Sequence, residues 1–156
     1  MSRIAVRSAK LRKIRLWLPK RSGEVSELAF CPKAAGLGFG VAKPWGESEP
    51  YDFILDSGHR LWRVQVKSAC HHFNRRYGVV AVHGNGERTR YTSADIDILV
   101  AYLIPIDVWY VVPVEKLGTK NALLLSVWRC PLWTLRGIPR SLESDGTRTI
   151  GGFVPT

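Results

Sequence analysis

A carboxylate, an amide and an amine recur at a spacing that suits metal-assisted chemistry on phosphate esters. Asp52 is followed, after twelve intervening residues, by Gln65, Val66 and Lys67. Carboxylate, amide and main-chain carbonyl oxygens are the ligands that a hard divalent cation prefers. Such an ion polarises a phosphate and lowers the pKa of a bound water. A nearby lysine can orient that water or stabilise the negative charge that develops at phosphorus. These residues predict hydrolysis of a phosphodiester bond.

The segment 60–68 has the alternating pattern of a β-strand, in which successive side chains point to opposite faces. One face is polar: Arg63, Gln65 and Lys67. The other face is apolar and predicts a core: Trp62, Val64 and Val66. Burying the polar set without partners would cost several kcal/mol, so a packing role alone does not explain it. The turn at 56–59 predicts a hairpin with a strand at 51–56, which places Asp52 beside the polar face.

This pattern resembles the D-x(n)-(D/E)-x-K motif of PD-(D/E)xK nucleases, which include restriction enzymes, Holliday-junction resolvases and some homing endonucleases. Gly23 and Glu27 resemble the G-x3-E of the first helix in the resolvase branch, with Glu24 as the lesser candidate. The resemblance implies a restriction-endonuclease-like α/β fold with an α-β-β-β-α-β core and a mixed central sheet flanked by helices. It also implies a set of catalytic residues: Asp52, Gln65, Lys67 and Glu27. The implied ligands of Mg²⁺, or of Mn²⁺ in its place, are Asp52, Gln65, Val66 and Glu27.

Gln65 stands where this family usually has an acid, which removes one negative charge from the expected metal site. Two unit charges about 4 Å apart interact by roughly 4 kcal/mol at an effective dielectric near 20, although desolvation offsets much of that energy. We therefore expect weak Mg²⁺ binding to the free protein and completion of the site by a DNA phosphate. The alternative is a catalytically impaired DNA-binding protein of the same fold, with Gln65 as the disabling change.

The charge balance favours a polyanionic partner. The chain has 23 Lys and Arg residues against 13 Asp and Glu, a formal charge of +10. A cationic surface releases the counterions condensed on phosphates, but this does not distinguish DNA from RNA. An RNA- or ribosome-associated protein is a third hypothesis, which would leave the polar strand face without a role. The candidate DNA-binding residues are Arg63, Arg75, Arg76, Lys13 and Arg15.

The nuclease hypothesis predicts double-stranded or branched DNA as the substrate. One short domain does not cut two strands at once, so a homodimer or a higher homo-oligomer is expected. The three cysteines form no CxxC pair, which predicts free thiols in a reducing compartment and a cytoplasmic protein. No segment approaches the roughly 18 apolar residues of a membrane span. We expect a basic arm at 1–21, a nuclease-like domain at 22–143 and a flexible tail at 144–156.

The remaining elements follow from hydrophobic periodicity and turn residues. A helix is predicted from Gly23 to Gly36, kinked or split by Pro32, with a stripe formed by Val25, Leu28, Ala29, Ala35 and Leu37. A second helix is predicted at 93–103, where an acid follows a capping threonine or serine. Strands are predicted at 39–43, 51–56, 60–68, 77–83, 88–91, 107–113 and 122–127.

Overall fold

The computed structural model describes residues 19–74, 76–84 and 88–126. It opens with one helix, α1 (Pro19–Gly36), which packs against the central sheet. The first turn of α1 includes Pro19, Lys20 and Arg21, which the sequence assigned to the basic arm. Within the described ranges, no helix combines the length and apolarity of a membrane span.

A five-stranded mixed sheet forms the centre of the molecule. Its members are β1 (Gly40–Ala42), β2 (Phe53–Asp56), β3 (Leu61–Ala69), β8 (Ile98–Leu103) and β9 (Val108–Pro113), in the spatial order β1-β2-β3-β8-β9. Only the β3–β8 pair is parallel; the other neighbours are antiparallel. The predicted hairpin between β2 and β3 is confirmed, and Gly58 supplies the positive φ of 83° that its turn requires.

Four strands between β3 and β8, together with a strand that follows β9, form two smaller sheets. The strands β4 (His72–Phe73), β5 (Arg76–Val80) and β10 (Ala122–Ser126) form one in the order β10-β5-β4. The strands β6 (Val82–His83) and β7 (Thr89–Arg90) form a two-stranded ladder. Short 3₁₀ turns at Ile104–Ile106 and Val114–Lys116 follow β8 and β9.

The central sheet separates two hydrophobic cores. On the α1 side, Phe30 packs with the inward side chains of the sheet: Phe53, Leu55, Trp62, Val64, Val66, Ile98, Val100 and Trp109. On the other side, Leu99, Ala101 and Leu103 pack with the small sheet through Tyr77, Val79 and Leu125. The α/β class with a mixed central sheet is confirmed.

The prediction of a helix at 93–103 is wrong. Thr92 and Asp95 do form the expected capping contacts, because both the N–H and the hydroxyl of Thr92 donate to Asp95 Oδ2 at 2.8 Å. The result is a single turn, after which the chain extends as β8. This strand is packed on both faces, and its residues are all apolar. A continuous apolar run also contains apolar residues at helical spacing, so the spacing did not indicate a helix.

The predicted apolar stripe of α1 is wrong in part: Leu28 is 76% exposed and Ala35 is exposed, whereas Ala29 and Leu37 pack against the core. The buried positions lie four residues apart, at Ser22, Ser26, Phe30 and Ala34. Ser26 is accommodated because its hydroxyl donates to the Ser22 carbonyl at 2.7 Å. The helix is not split at Pro32. The proline has no N–H and so removes the helical hydrogen bond to the Leu28 carbonyl.

Asp97 ties the start of β8 to β3 and should be important for stability. Its Oδ2 accepts the Arg63 main-chain N–H at 2.8 Å and Arg63 Nε at 3.2 Å, and its Oδ1 accepts Arg60 Nη2 at 3.2 Å. Burial would raise the pKa of Asp97, but these hydrogen bonds and the two arginine charges together hold it below the usual value.

We expect Asp97→Ala to lower the free energy of unfolding by about 1–3 kcal/mol, because it leaves the main-chain N–H and Nε of Arg63 without their acceptor. A carboxylate with a depressed folded-state pKa stabilises the fold above its unfolded pKa and loses that contribution as the pH falls through the folded pKa. The difference between wild type and variant should therefore shrink in acid. Urea unfolding at several pH values measures this, with the exposed Glu115→Ala as control. A pH-independent difference would contradict the electrostatic account.

Candidate active site

The β2–β3 hairpin places the carboxylate of Asp52 against the middle of β3. The Asp52 N–H donates to the Val64 carbonyl at 2.9 Å, which extends the ladder by one residue beyond β2. The side chain then turns back along β3, where Oδ2 accepts the Val66 N–H at 2.7 Å and Gln65 Nε2 at 2.6 Å. Among the described residues both hydrogen bonds to this carboxylate go to Oδ2, so Oδ1 is available to a cation.

The amide of Gln65 lies between two prospective metal ligands. Its Nε2 donates to Asp52 and also approaches the Val66 carbonyl at 3.3 Å, and the residue is only 8% exposed. In this orientation the amide offers hydrogen, not oxygen, to both groups. Rotation about the last side-chain bond exchanges the two ends of the amide and would present Oε1 to an ion.

Lys67 lies two residues beyond Gln65 on the same face of β3. Its Nζ lies 5.6 Å from the centre of the Tyr91 ring, which places the ammonium against an aromatic face. Desolvation lowers the pKa of Lys67, while the charges of Asp52 and Glu27 act in the opposite direction. The amine is thus held half-buried and electrostatically coupled to both carboxylates.

Burial also raises the pKa of Asp52, with a further contribution from the negative charge of Glu27. The Val66 N–H, the Lys67 charge and the Gln65 amide oppose that rise. A carboxylate that is costly to ionise in the free protein gains when a cation binds beside it. The electrostatics of Asp52 therefore favour a bound positive charge.

These groups line one open cleft of about 800 Å³. Glu27 of α1 lines it too, as does Lys43, which follows β1; Gly78 and Val80 of β5 form another part of its wall. Lys43 Nζ and Glu27 Oε2 lie 2.8 Å apart in an ion pair. The cleft is thus lined by both acids and lysines, with Glu27 and Lys43 in direct contact.

The donor set of the cleft fits a hard divalent cation. The carboxylates of Asp52 and Glu27, the Val66 carbonyl and the Gln65 amide are all oxygen donors, which such an ion prefers over nitrogen and sulfur. The part of the chain that the structure describes contains no group of three or more His, Cys, Asp or Glu side chains placed to hold a metal. A site built on Asp52 and Glu27 would draw its further oxygen ligands from a main-chain carbonyl, water or substrate.

The structure brings together all four residues expected at the active centre: Asp52, Gln65, Lys67 and Glu27. Only two of the five expected DNA contacts, Arg63 and Arg76, fall within the described residues. Arg63 is committed to its own chain, because its guanidinium donates to Asp97 and to the carbonyls of Ser93 and Ala94. Arg76 is exposed on β5, whereas Lys13, Arg15 and Arg75 lie outside the described residues. The predicted roles of these residues in binding DNA stay predictions.

The sequence analysis missed one residue that lines the cleft, Lys43, and one that contacts Lys67, Tyr91. Lys43 has no spacing relation to the catalytic motif, and only the position of β1 beside β2 brings it opposite Glu27. Tyr91 was read as part of a short strand, and nothing in the local sequence indicates that its ring faces Lys67. A strand-end lysine near the first acid of the motif is the one signal that could have identified Lys43.

The fold and the cleft together define a restriction-endonuclease-like nuclease, and comparison identifies the family. The sequence matches the PD-(D/E)XK endonuclease family over residues 18–127, so the chain belongs to this family and is an endonuclease. The chain is also similar to a solved structure, that of a bacterial homing endonuclease, I-Ssp6803I. The identity is 29% and the TM-score 0.61, over 68% of this chain and 76% of that one. No curated protein matched the sequence significantly.

Proposed function

We propose that this endonuclease hydrolyses phosphodiester bonds of double-stranded or branched DNA and depends on Mg²⁺, with Mn²⁺ as a substitute. The observation that carries the proposal is the convergence of Asp52, Gln65 and Lys67 on one side of β3. The Asp52 carboxylate is fixed by the Val66 N–H, and the cleft in front of it is open. The family match supports the nuclease class.

The residues of the cleft divide the chemistry among them. Asp52 and the Val66 carbonyl would bind the ion, Gln65 would add its amide oxygen after rotation of the amide, and Glu27 would assist from α1. When bound, the divalent ion would supply Lewis-acid polarisation of the phosphate and a more acidic water. Lys67 orients the nucleophilic water or stabilises the charge that develops on the phosphoryl oxygens. By family analogy the products carry a 5′-phosphate and a 3′-hydroxyl.

The similarity to a homing endonuclease favours that type of cleavage over the resolvase and restriction-like types. A homing-type enzyme must cut both strands of a duplex. Since each chain has a single cleft of this kind in its described part, two chains at least are needed for a double-strand break, and we propose a homodimer or higher homo-oligomer that acts in the cytoplasm.

A binding protein without catalytic activity is the rival, and the observation in its favour is the Gln65 amide. In the observed orientation Nε2 satisfies Asp52 and approaches the Val66 carbonyl, which holds both ligands without a metal. Both proteins would bind DNA with a steep salt dependence. Only the endonuclease would nick DNA in the presence of a divalent metal ion.

Incubation of supercoiled plasmid with the protein distinguishes an endonuclease from a non-catalytic DNA-binding protein. We expect nicked and linear products with Mg²⁺ or Mn²⁺ and none with EDTA, because the buried Asp52 carboxylate cannot activate water by itself. An Asp52 variant purified in parallel reports contaminating nuclease. Competition between four-way junctions and linear duplexes, followed by cleavage of a random-sequence library, then distinguishes resolvase from site-specific activity. DNA binding without metal-dependent nicking would establish the rival.

A further inference from the structure

Glu27 has a cationic partner within its own chain. Lys43 Nζ lies 2.8 Å from Glu27 Oε2, and the two residues are sixteen positions apart in the sequence. The Lys43 side chain is 58% exposed and that of Glu27 is 29% exposed, so the lysine approaches from the solvent side of the cleft. Both residues line the cleft that contains Asp52 and Lys67.

The charges in the cleft explain why this pair forms. Glu27 interacts unfavourably with the buried Asp52 carboxylate, and Lys43 interacts favourably with both. Two carboxylates in one cleft need positive charge, which an ion or an ammonium group can supply. Lys43 supplies it at Glu27, and Lys67 contributes at Asp52.

We propose that Lys43 is an internal counter-ion that holds Glu27 in the metal-free enzyme and transfers to a DNA phosphate when Glu27 turns to the divalent ion. Only the last part of this role, the transfer of Lys43 to a DNA phosphate, rests on the proposed function. Lys43 is a positioning residue, since it acts on the ion through Glu27.

The exchange couples metal binding to DNA binding. Without DNA, an incoming ion must displace Lys43 from Glu27 and leave the ammonium unpaired. With DNA, a phosphate can accept the released ammonium, so displacement costs less. Coupling of this kind is reciprocal, and DNA must tighten metal binding by the same factor as the metal tightens DNA binding.

The test is the affinity of the free protein for Mn²⁺, measured by calorimetry and by the electron paramagnetic resonance of the free ion. We expect Lys43→Met to bind Mn²⁺ about fivefold more tightly than wild type without DNA, the factor that corresponds to the upper range for an exposed ion pair. Wild type should bind Mg²⁺ weakly under the same conditions. With a duplex containing a non-hydrolysable phosphate, the advantage of the variant should disappear.

A matched control separates this effect from a general change of charge. Lys33→Met makes the same change on the exposed last turn of α1, outside the cleft, and should leave the Mn²⁺ affinity unchanged. Glu27→Gln should remove the gain when combined with Lys43→Met. Lys43→Gln serves as a second variant, and a thermal melt of each variant shows whether it is folded.

Three results would overturn the proposal. The first is a Mn²⁺ affinity of Lys43→Met that is equal to or weaker than that of wild type, including no detectable binding up to millimolar ion. The second is an equal gain in Mn²⁺ affinity from Lys33→Met. The third is a gain from Lys43→Met that persists when Glu27→Gln is added. Failure of the proposed function is a separate result. If Lys43→Met binds Mn²⁺ more tightly but the wild-type protein never nicks DNA, the counter-ion role of Lys43 stands and the nuclease chemistry is wrong.

Discussion

Asp52→Asn is expected to lower DNA cleavage by about 100-fold or more and, in the same protein, to raise the melting temperature of the metal-free form. Cleavage falls because the charged metal ligand is lost. Stability rises because asparagine can present its oxygen to the Val66 N–H and Gln65 Nε2 while removing a carboxylate that burial and Glu27 make costly to ionise.

The pH dependence of that stability difference has a definite sign. A carboxylate whose folded-state pKa is raised binds more protons in the folded than in the unfolded protein, so its ionisation destabilises the fold as the pH rises. The cost is absent below the ordinary aspartate pKa of about 4 and complete above the raised pKa. The advantage of Asp52→Asn should therefore grow between these two pKa values.

Thermal melts of wild type and variant across this range, with and without Mg²⁺, provide the measurement. Added Mg²⁺ should stabilise wild type and not the variant. Asp56→Asn is the matched control: the residue is exposed at the end of the same strand, and its Oδ1 accepts the Gly58 N–H at 2.7 Å, a bond that asparagine can keep. A variant less stable than wild type at neutral pH would show that the Asp52 charge stabilises the fold, against our account.

Lys67→Ala is expected to reduce nicking by about 100- to 1000-fold, the usual effect of removing a group that stabilises developing charge. DNA affinity should change only a few-fold, because one half-buried ammonium contributes little to a polycationic surface. The metal-free fold should not be destabilised by the loss of charge, since desolvation disfavours the charged form of Lys67.

Single-turnover nicking and gel-shift titration with Ca²⁺ separate the two effects of Lys67. Lys33→Ala, on the exposed end of α1, controls for net charge. Lys67→Arg keeps the charge but changes its shape, and we expect it to restore only part of the rate. If Lys67→Ala cuts plasmid as fast as wild type, the catalytic role of this strand face is wrong.

The catalytic strand was accessible from sequence because strand geometry is rigid. An alternation of two residues fixes which side chains share a face, so Gln65 and Lys67 could be placed together and Val64 and Val66 assigned to the core. The turn around Gly58 then fixed the neighbour that carries Asp52. Local rules sufficed for this part of the site.

The errors have a common physical origin in tertiary packing. Strand β8 is buried on both faces, and its unbroken apolar run carries no period that separates strand from helix. Two of the four buried positions of α1 are serines, Ser22 and Ser26, and hydropathy assigns serine to the solvent-exposed face. Lys43 meets Glu27 only because β1 pairs with β2, a contact that no local pattern encodes.

The position of β3 has a consequence for how this enzyme can diversify. The strand is hydrogen-bonded to neighbours on both sides and packed on both faces, so local opening there requires nearly the full free energy of unfolding. The exposed connection between Lys43 and Asp52 is free of that constraint. Substitutions can therefore accumulate in the connection while Gln65 and Lys67 stay on the last part of the molecule to open.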